Sequence, residues 1–580
     1  MNEALYVGLT AAALLALAAL LGGLGLLAAR LLGARPRTAD ELELAPWTGW
    51  ALALLILQLW HLALPVDDRA LALVALAGLA GLAAQARDLW RWLGSWRVRS
   101  WTLAAALALA ALWVANQTTT QPKHPDSPLY HIVCVRWAAE YPVVPGLANL
   151  RNIFGYNSTF FLYAALLDAG PFTGRSHHLA AGLLLFLLLA RSLRRGGRLL
   201  AADRPVSCAV VFDALLLVPI LLLTMGDYGS SPSPDVAVFA LGIVLVSELL
   251  RQGESVGAAA AGDGGYRALS AALLAVAGVT VKLTFAGAAA AALALTVWAQ
   301  ARPGVGRGGG GARRWWLCAA GLCGLLGAVW IARGIIVSGY PFYPSTALAA
   351  PVEWRLPAEL ARANADTVRA WARQPGAPAE EALRGWRWLR PWAIRMLRDG
   401  YNVVLPLTLA CVLAPVWWRI GRGAEGPARV RRPWAALAVP LAGLLFWFGT
   451  APEPRFAGSA FWALAAGALA LAVGGGDALR QRAAAACVVV PLFFASVDLP
   501  QFVRPWNQDR GPVRRGAVEA LQTRSGLTVF VPVEGGHCWD APLPCTTGRA
   551  FLDPDLRLRV AGRLERGFVI DRAPAGPPGP

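Results

Sequence analysis

The residues best suited to chemistry collect between positions 116 and 163. That stretch holds four of the eight asparagines (Asn116, Asn149, Asn152, Asn157), four of the ten tyrosines (Tyr130, Tyr141, Tyr156, Tyr163) and one of the two lysines, Lys123. His124 and His131 lie in it, His177 and His178 just beyond, and only His61 and His537 elsewhere. Its core reads QPKHPDSPLYHIVCVRWAAEYPVVPGLANLRNIFGYNSTFF. Asp126, flanked by Pro125 and Pro128, is expected on a short rigid turn, where a carboxylate can face a substrate whose phosphate lies in a headgroup layer. From Leu129 to Tyr141 the pattern predicts an amphipathic helix, with Ile132, Val133, Val135 and Trp137 apolar and His131, Arg136 and Glu140 between them. A plainer reading stands beside this one: an outer loop must be polar, and Asp before Ser-Pro is a common helix cap.

A second polar cluster, TMGDYGSSPSPD, runs from Thr224 to Asp235. Gly, Ser and Pro shape it as a turn that brings Asp227 and Asp235 to the same side as Asp126. Asp235 directly precedes an apolar run and reads best as its cap, while Asp227 fits a cap or a site equally well. Three cations complete the set: Lys282 in GVTVKLTF, Arg333 before SGYPFYP, and Arg455 in TAPEPRFAGS. Each alone fits an interfacial anchor; together on one side they fit partners for a lipid phosphate, arginine being suited to bidentate contact.

These residues must be positioned by membrane helices. The chain of 580 residues is 57% hydrophobic and only 15% charged, against about 25% charged in a soluble domain. Leu and Ala runs recur up to about position 498, which excludes a multidomain soluble enzyme and indicates an all-α polytopic membrane protein. The apolar runs predict about fourteen spans: 5–29, 48–65, 69–86, 101–116, 176–190, 206–225, 235–250, 267–281, 284–300, 315–335, 401–418, 433–449, 458–473 and 483–498. The net charge of +18 sits between the runs instead of on a folded face, so no nucleic-acid partner is implied.

Arginine content alternates along the connections. The segments 87–100, 191–204 and 419–432 are rich in it, whereas 226–234 and 450–457 hold a single basic residue, Arg455. The positive-inside rule makes the first group cytoplasmic and places the N- and C-termini outside. The start MNEALYVG lacks the basic region of a signal peptide, and its span ends at Arg30, Arg35 and Arg37. Residues 158–170 do not fit the count as a crossing and are expected to form an interfacial or re-entrant helix. The expected division is a bundle, 1–498, with outer loops 117–175 and 336–400, and an extracytoplasmic α/β or β-rich appendage, 499–580, with a disordered end. Trp354, Trp371, Trp386, Trp388 and Trp392 suit 336–400 to helices along a headgroup layer. Leu527 to Val533 reads as a strand. Cys208, Cys318, Cys323, Cys411 and Cys487 fall in predicted spans as small apolar residues, whereas Cys538 and Cys545 flank WDAPLP in an oxidising compartment and fit either a disulfide or two free thiols.

The motifs DSPLYHIVCVRWAAEYPVVPGLANL, FGYNSTFF, GPFTGRSHH, SSPSPD, VTVKLT, SGYPFYP, APEPRF and CWDAPLPCT resemble, in that order, a family of uncharacterised bacterial multispanning proteins. At a looser level the architecture is similar to the GT-C glycosyltransferases, multispan enzymes with an acidic motif in the first large outer loop that take sugar from a polyprenyl phosphate. Asp126 matches that acidic residue, but it stands beside Ser127 where GT-C members often show paired acids, which leaves a divalent cation open.

The resemblance implies a transferase of cell-envelope glycan or glycolipid assembly at the outer face of the bacterial cytoplasmic membrane. Its partners would be membrane lipid, a polyprenyl-phosphate-linked sugar donor and a glycan or lipid acceptor. Asp126 would be the general base, Lys282, Arg333 or Arg455 would face the leaving phosphate, and His124, His131 and Asp227 would orient substrate. The rivals are a transporter or flippase for an envelope lipid or polymer, which needs charges inside the spans such as Asp213 and Glu248, and a non-catalytic assembly protein.

Overall fold

The computed structural model describes residues 2–34, 38–94, 98–254, 264–301, 310–421, 433–474, 477–503 and 509–571. Arg35, Arg37, Arg97, the arginines at 422–432 and the PAGPPGP end lie outside them. The first helix, α1 (Glu3–Leu31), begins where the Asn2 side chain accepts from the Ala4 N–H, and α2 (Ala39–His61) begins at a Thr38–Glu41 capping box. With α3 (Asp68–Ala84), capped by Asp67, they pack backbone to backbone. A Cβ on Gly49 would stand 1.8 Å from the Leu21 carbonyl oxygen, and one on Gly81 1.8 Å from that of Gly23. Between apolar helices in lipid, such close approach replaces the hydrophobic effect as the source of cohesion.

After α4 (Ala86–Gly94) and α5 (Val98–Thr118) the chain enters the polar island. A π turn, Ser127–His131, closes with the Ile132 N–H bonded to the Ser127 carbonyl and leads into α6 (Ile132–Glu140). Then come α7 (Leu147–Leu150) and α8 (Phe160–Leu166). Helix α8 is too short to cross, and all seven of its residues are buried, so it lies inside the protein and not at an interface. Next are α9 (His177–Leu200), α10 (Cys208–Leu215), α11 (Leu217–Met225), α12 (Pro234–Glu254), α13 (Gly264–Val281), α14 (Ala286–Ala301) and α15 (Gly310–Ser338). The 336–400 segment holds α16 (Ala358–Arg373), α17 (Ala379–Leu383) and α18 (Leu389–Met396); there Trp371 and Trp386 are exposed while Trp388 is buried. The bundle finishes with α19 (Leu405–Thr408), α20 (Ala414–Gly421), α21 (Ala438–Thr450), α22 (Ala460–Val473), α23 (Ala478–Ser496) and α24 (Leu499–Val503).

Among the described residues nine helical stretches are long and apolar enough to cross a membrane, and three shorter apolar helices accompany them: Gly265–Val281, Trp434–Thr450 and Ala460–Val473. The expected span 69–86 is the 17-residue α3, and 176–190 is the N-terminal part of α9. The expected span 206–225 is two helices joined at Leu216.

One end of the bundle is ionic. The arginines read as a connecting segment, Arg191 to Arg198, are helical and belong to α9. Arg191 lies 2.9 Å from Glu43, 3.0 Å from Asp213 and 3.1 Å from Glu248. Arg195 reaches Asp40 at 3.0 Å, Arg267 reaches Glu248 at 2.9 Å, and Arg194 and Arg251 both pair with Asp40. Asp213 and Glu248, the acids a transport route would use, are therefore consumed by structural pairing.

The opposite end carries the polar loops, the start of α1 and the tail. The tail forms two antiparallel hairpins: β1 (Val518–Gln522) with β2 (Thr528–Pro532), and β3 (Leu556–Leu558) with β4 (Phe568–Ile570). Cys538 and Cys545 are joined by a disulfide. Val529, Cys538, Cys545, Leu556 and Phe568 share one core with Val133, Trp137, Val143, Leu147 and Phe154. The Phe568 N–H bonds to Pro145 O at 2.9 Å and the Trp539 N–H to Pro128 O at 3.1 Å. The tail is thus built into the loop that precedes α8 and does not hang from the bundle as an appendage.

Removing one partner of a buried ion pair leaves an uncompensated charge and costs about 3–5 kcal/mol. Arg191→Met is expected to lower the thermal midpoint of the detergent-solubilised protein by a corresponding margin, read by intrinsic fluorescence. An unchanged midpoint would show that the arginine end contributes no net stability.

Candidate functional site

Four separate parts of the chain meet at the loop end. Proline on either side holds the Asp126 backbone, and its carboxylate does not cap the following turn. Instead Asp126 Oδ2 lies 2.7 Å from Arg455 Nη1, which comes from the short 3-10 turn Pro454–Ala457 between α21 and α22. The Asp126 N–H donates to His124 Nδ1 at 3.2 Å, and Arg455 Nη1 lies 3.1 Å from His124 Nε2. A neutral imidazole has one acceptor nitrogen, so only one of these contacts is a hydrogen bond at a time. The His124 backbone N–H donates to Ser231 Oγ at 3.2 Å, which ties the island to the SSPSPD loop.

Asp235 is in the first turn of α12, and its carboxylate pairs with Lys282 Nζ. Lys282 is placed by the end of α13, which the Ser158 and Thr159 side chains clamp: Ser158 Oγ donates to Val281 O at 2.7 Å, and Thr159 Oγ1 lies 3.1 Å from Thr280 Oγ1. Lys282 Nζ stands 4.1 Å and Arg455 Cζ 5.1 Å from the centre of the Phe456 ring, so one aromatic face borders both cations. The rings of His131 and Tyr228 complete the wall, 5.8 Å and 4.9 Å from that of His124.

The result is two carboxylates crossed with two cations around two imidazoles. Burial pulls Arg455 down, but the Asp235 and Asp126 carboxylates more than reverse this and hold it above the ordinary guanidinium value. Burial lowers His124, with Asp126 and Asp235 partly opposing, and lowers His131 further, where the neighbouring His124, Lys282 and Arg455 add to the effect. Both rings are held neutral at neutral pH. Burial raises the Tyr228 and Tyr130 phenols, which stay protonated.

Directly below Phe456 an apolar groove runs between α12, α14, α21 and α22. Val238, Gly242, Phe285, Ala288, Pro440 and Gly443 line it, and its empty space, open mouth included, is about 420 Å³.

Of the residues singled out in the sequence, Asp126, His124, His131, Lys282 and Arg455 are together. Asp227 and Arg333 are not. Asp227 is exposed and supplies only its backbone carbonyl, to Ser231 Oγ at 2.8 Å. Arg333 is buried in a separate cavity beside His61. Asp235, expected as a cap, is the second carboxylate of the cluster; a carboxylate in front of an apolar run has the same local pattern in either role. Among the described residues no three His, Cys, Asp or Glu side chains converge as metal ligands, and each carboxylate of the cluster already faces a cation, so the residues present do not fit a divalent ion.

Fold and site together define a helical protein with nine described helical stretches able to cross a membrane and a cross-paired charge cluster at one end. Over residues 9–462 the chain matches the family described as "Domain of unknown function (DUF8201)", and it belongs to that family. Comparisons with curated proteins and with solved structures returned no match.

The histidines give the site a pH signature. Their folded-state values lie below the ordinary value of about 6.5, so the unfolded chain binds protons first as pH falls through that value. Stability is therefore fully present above about 6.5 and declines below it. The thermal midpoint is expected to drop between pH 7.5 and 5.5, and by less in a His124→Gln/His131→Gln variant. Equal drops in the two proteins would remove these rings from the account.

Proposed function

We propose that the protein is an inverting glycosyltransferase that takes sugar from a polyprenyl-phosphate donor at the outer face of the bacterial cytoplasmic membrane, for envelope glycan or glycolipid assembly. In this reading the arginine end is cytoplasmic, and the loop end, with the N-terminus and the tail, is extracytoplasmic. The observation that carries the reading is the cation pair Lys282 and Arg455 beside Phe456, a residue that also lines an apolar groove, with the Asp126 carboxylate bonded to one of the cations. The apolar lining matches an isoprenoid chain in chemistry, and the cations match its phosphate.

The substrate-free pairing supplies a means of ordering the steps. A phosphate arriving between Lys282 and Arg455 competes for the guanidinium, which frees the Asp126 carboxylate to accept a hydrogen bond from the acceptor hydroxyl. The acceptor oxygen then attacks the anomeric carbon on the face opposite the phosphate, and the bond from that carbon to the phosphate oxygen breaks. The lipid phosphate leaves with the bonding electrons, and Asp126 takes the hydroxyl proton. Lys282 and Arg455 face the charge that grows on the leaving group. Neutral His124 and His131 can exchange hydrogen bonds with sugar hydroxyls without adding charge. The pairing of Asp213 and Glu248 with Arg191 weighs against a charge-lined transport route.

General-base assistance is worth about 10²- to 10⁴-fold. Asp126→Asn protein reconstituted in liposomes with a polyprenyl-phosphate sugar and acceptor is expected to lose transfer by a factor in that range while keeping its thermal midpoint within a few degrees. Transfer at the wild-type rate would overturn the assignment.

A further inference from the structure

Four arginines are buried among the described residues, and three have polar partners. Arg191 and Arg195 face carboxylates, and Arg510 Nη2 donates to Asn116 Oδ1 at 3.0 Å, with Glu3 3.9 Å from its Nε. Arg333, in the last turns of α15, has none. It is only 4% exposed, no described carboxylate lies within ion-pair distance, and its Nε and Nη1 are closed to solvent without a hydrogen bond. A guanidinium keeps its charge at any pH a protein tolerates, and burying one without a counter-charge costs several kcal/mol. The protein satisfies this rule throughout its ionic end and breaks it here.

The space around Arg333 shows why. The guanidinium borders a cavity whose empty space, mouth included, is about 450 Å³. Four further buried polar atoms on its wall lack partners: Trp137 Nε1, a donor, Asn157 Oδ1, an acceptor, and both ring nitrogens of His61, one a donor and one an acceptor in the neutral ring. Asn157 is fixed there in a left-handed conformation (φ 53°), its Nδ2 bonded to Trp330 O at 2.8 Å and its own carbonyl accepting from Trp330 Nε1 at 3.1 Å. The rest of the wall is largely apolar, including Val143, Phe154 and Leu162.

We propose that this cavity is a second, separate binding site for an oxyanion, a carboxylate or a phosphate group, carried on an apolar body. Arg333 supplies the counter-charge, Trp137 Nε1 donates to an oxygen, Asn157 Oδ1 accepts from a hydroxyl of the ligand, and the apolar wall takes the remainder. The site shares no charged residue with the Asp126 cluster, so it does not rest on the transferase reading.

Two probes separate the sources of such a group: octanoate, an oxyanion with an apolar body, and inorganic phosphate, an oxyanion without one. The full chain in non-ionic detergent is titrated with each, and the thermal midpoint is followed for wild type, Arg333→Gln and Asp126→Asn. The expected result is saturable stabilisation of wild type and Asp126→Asn by octanoate, with phosphate weaker, and loss of the shift in Arg333→Gln. Phosphate acting as strongly as octanoate would overturn the apolar body, and equal shifts in wild type and Arg333→Gln would overturn the site. Arg333→Gln without ligand is expected to be at least as stable as wild type, since a charge lacking a partner has been removed. Should that variant fail to fold, Arg333→Lys, which keeps the charge but loses the planar fork, is expected to need at least tenfold more octanoate for half-saturation; an unchanged requirement would overturn the role of the guanidinium.

Discussion

A charge held out of water must meet its opposite, and this constraint organises both ends of the protein. At one end it draws Asp40 and Glu43 of the α2 start, Arg191 to Arg198 of α9, Asp213 of α10, Glu248 and Arg251 of α12 and Arg267 of α13 into one network. At the other it joins residues 126, 235, 282 and 455, which no local preference would bring together. Apolar helices without such close glycine contacts as join α1 to α2 and α3 gain less from one register over another. Salt bridges between them do discriminate, because each wrong register strands a charge.

The two pairs at the loop end differ in accessibility. Both cations keep about a fifth of the side chain in contact with solvent, but Asp235 keeps about a tenth where Asp126 keeps about a fifth, so the Asp235 pair is the more enclosed through its carboxylate. A polar ligand can therefore compete for the second pair more readily than for the first. The ring of His131 lies 5.5 Å from that of Phe161, and Phe161 also lines the Arg333 cavity. The crossed cluster and the cavity thus stand back to back, separated by aromatic rings.

The long apolar helices are legible in the sequence as Ala/Leu runs, and the polar island and five of the cluster residues because each departs from that background. Composition tells which side of a bilayer a residue favours, but not which face of a bundle. That is why Arg333 and Asp227 were grouped with Asp126 although the fold separates them, and why Asp235 passed for a cap. Arg191 and Arg195 look in the sequence like any connecting-segment arginines although they are buried in the bundle, because their partner acids at 40–43, 213 and 248 are remote in sequence. The span count differs because hydropathy does not fix helix length or what a helix carries beyond its apolar run: three expected spans are apolar helices of 10–17 residues, α3 has 17 residues, and α9 continues from its apolar start through the arginines.

The late strand β4 completes an early loop. Phe568 closes the core around Trp137 and bonds to Pro145, so a ribosome that has delivered every helix of the bundle has yet to supply the residues that seat the island. A chain that stops after α23 would therefore carry these helices but lack the Phe568 side of the core that the island packs against.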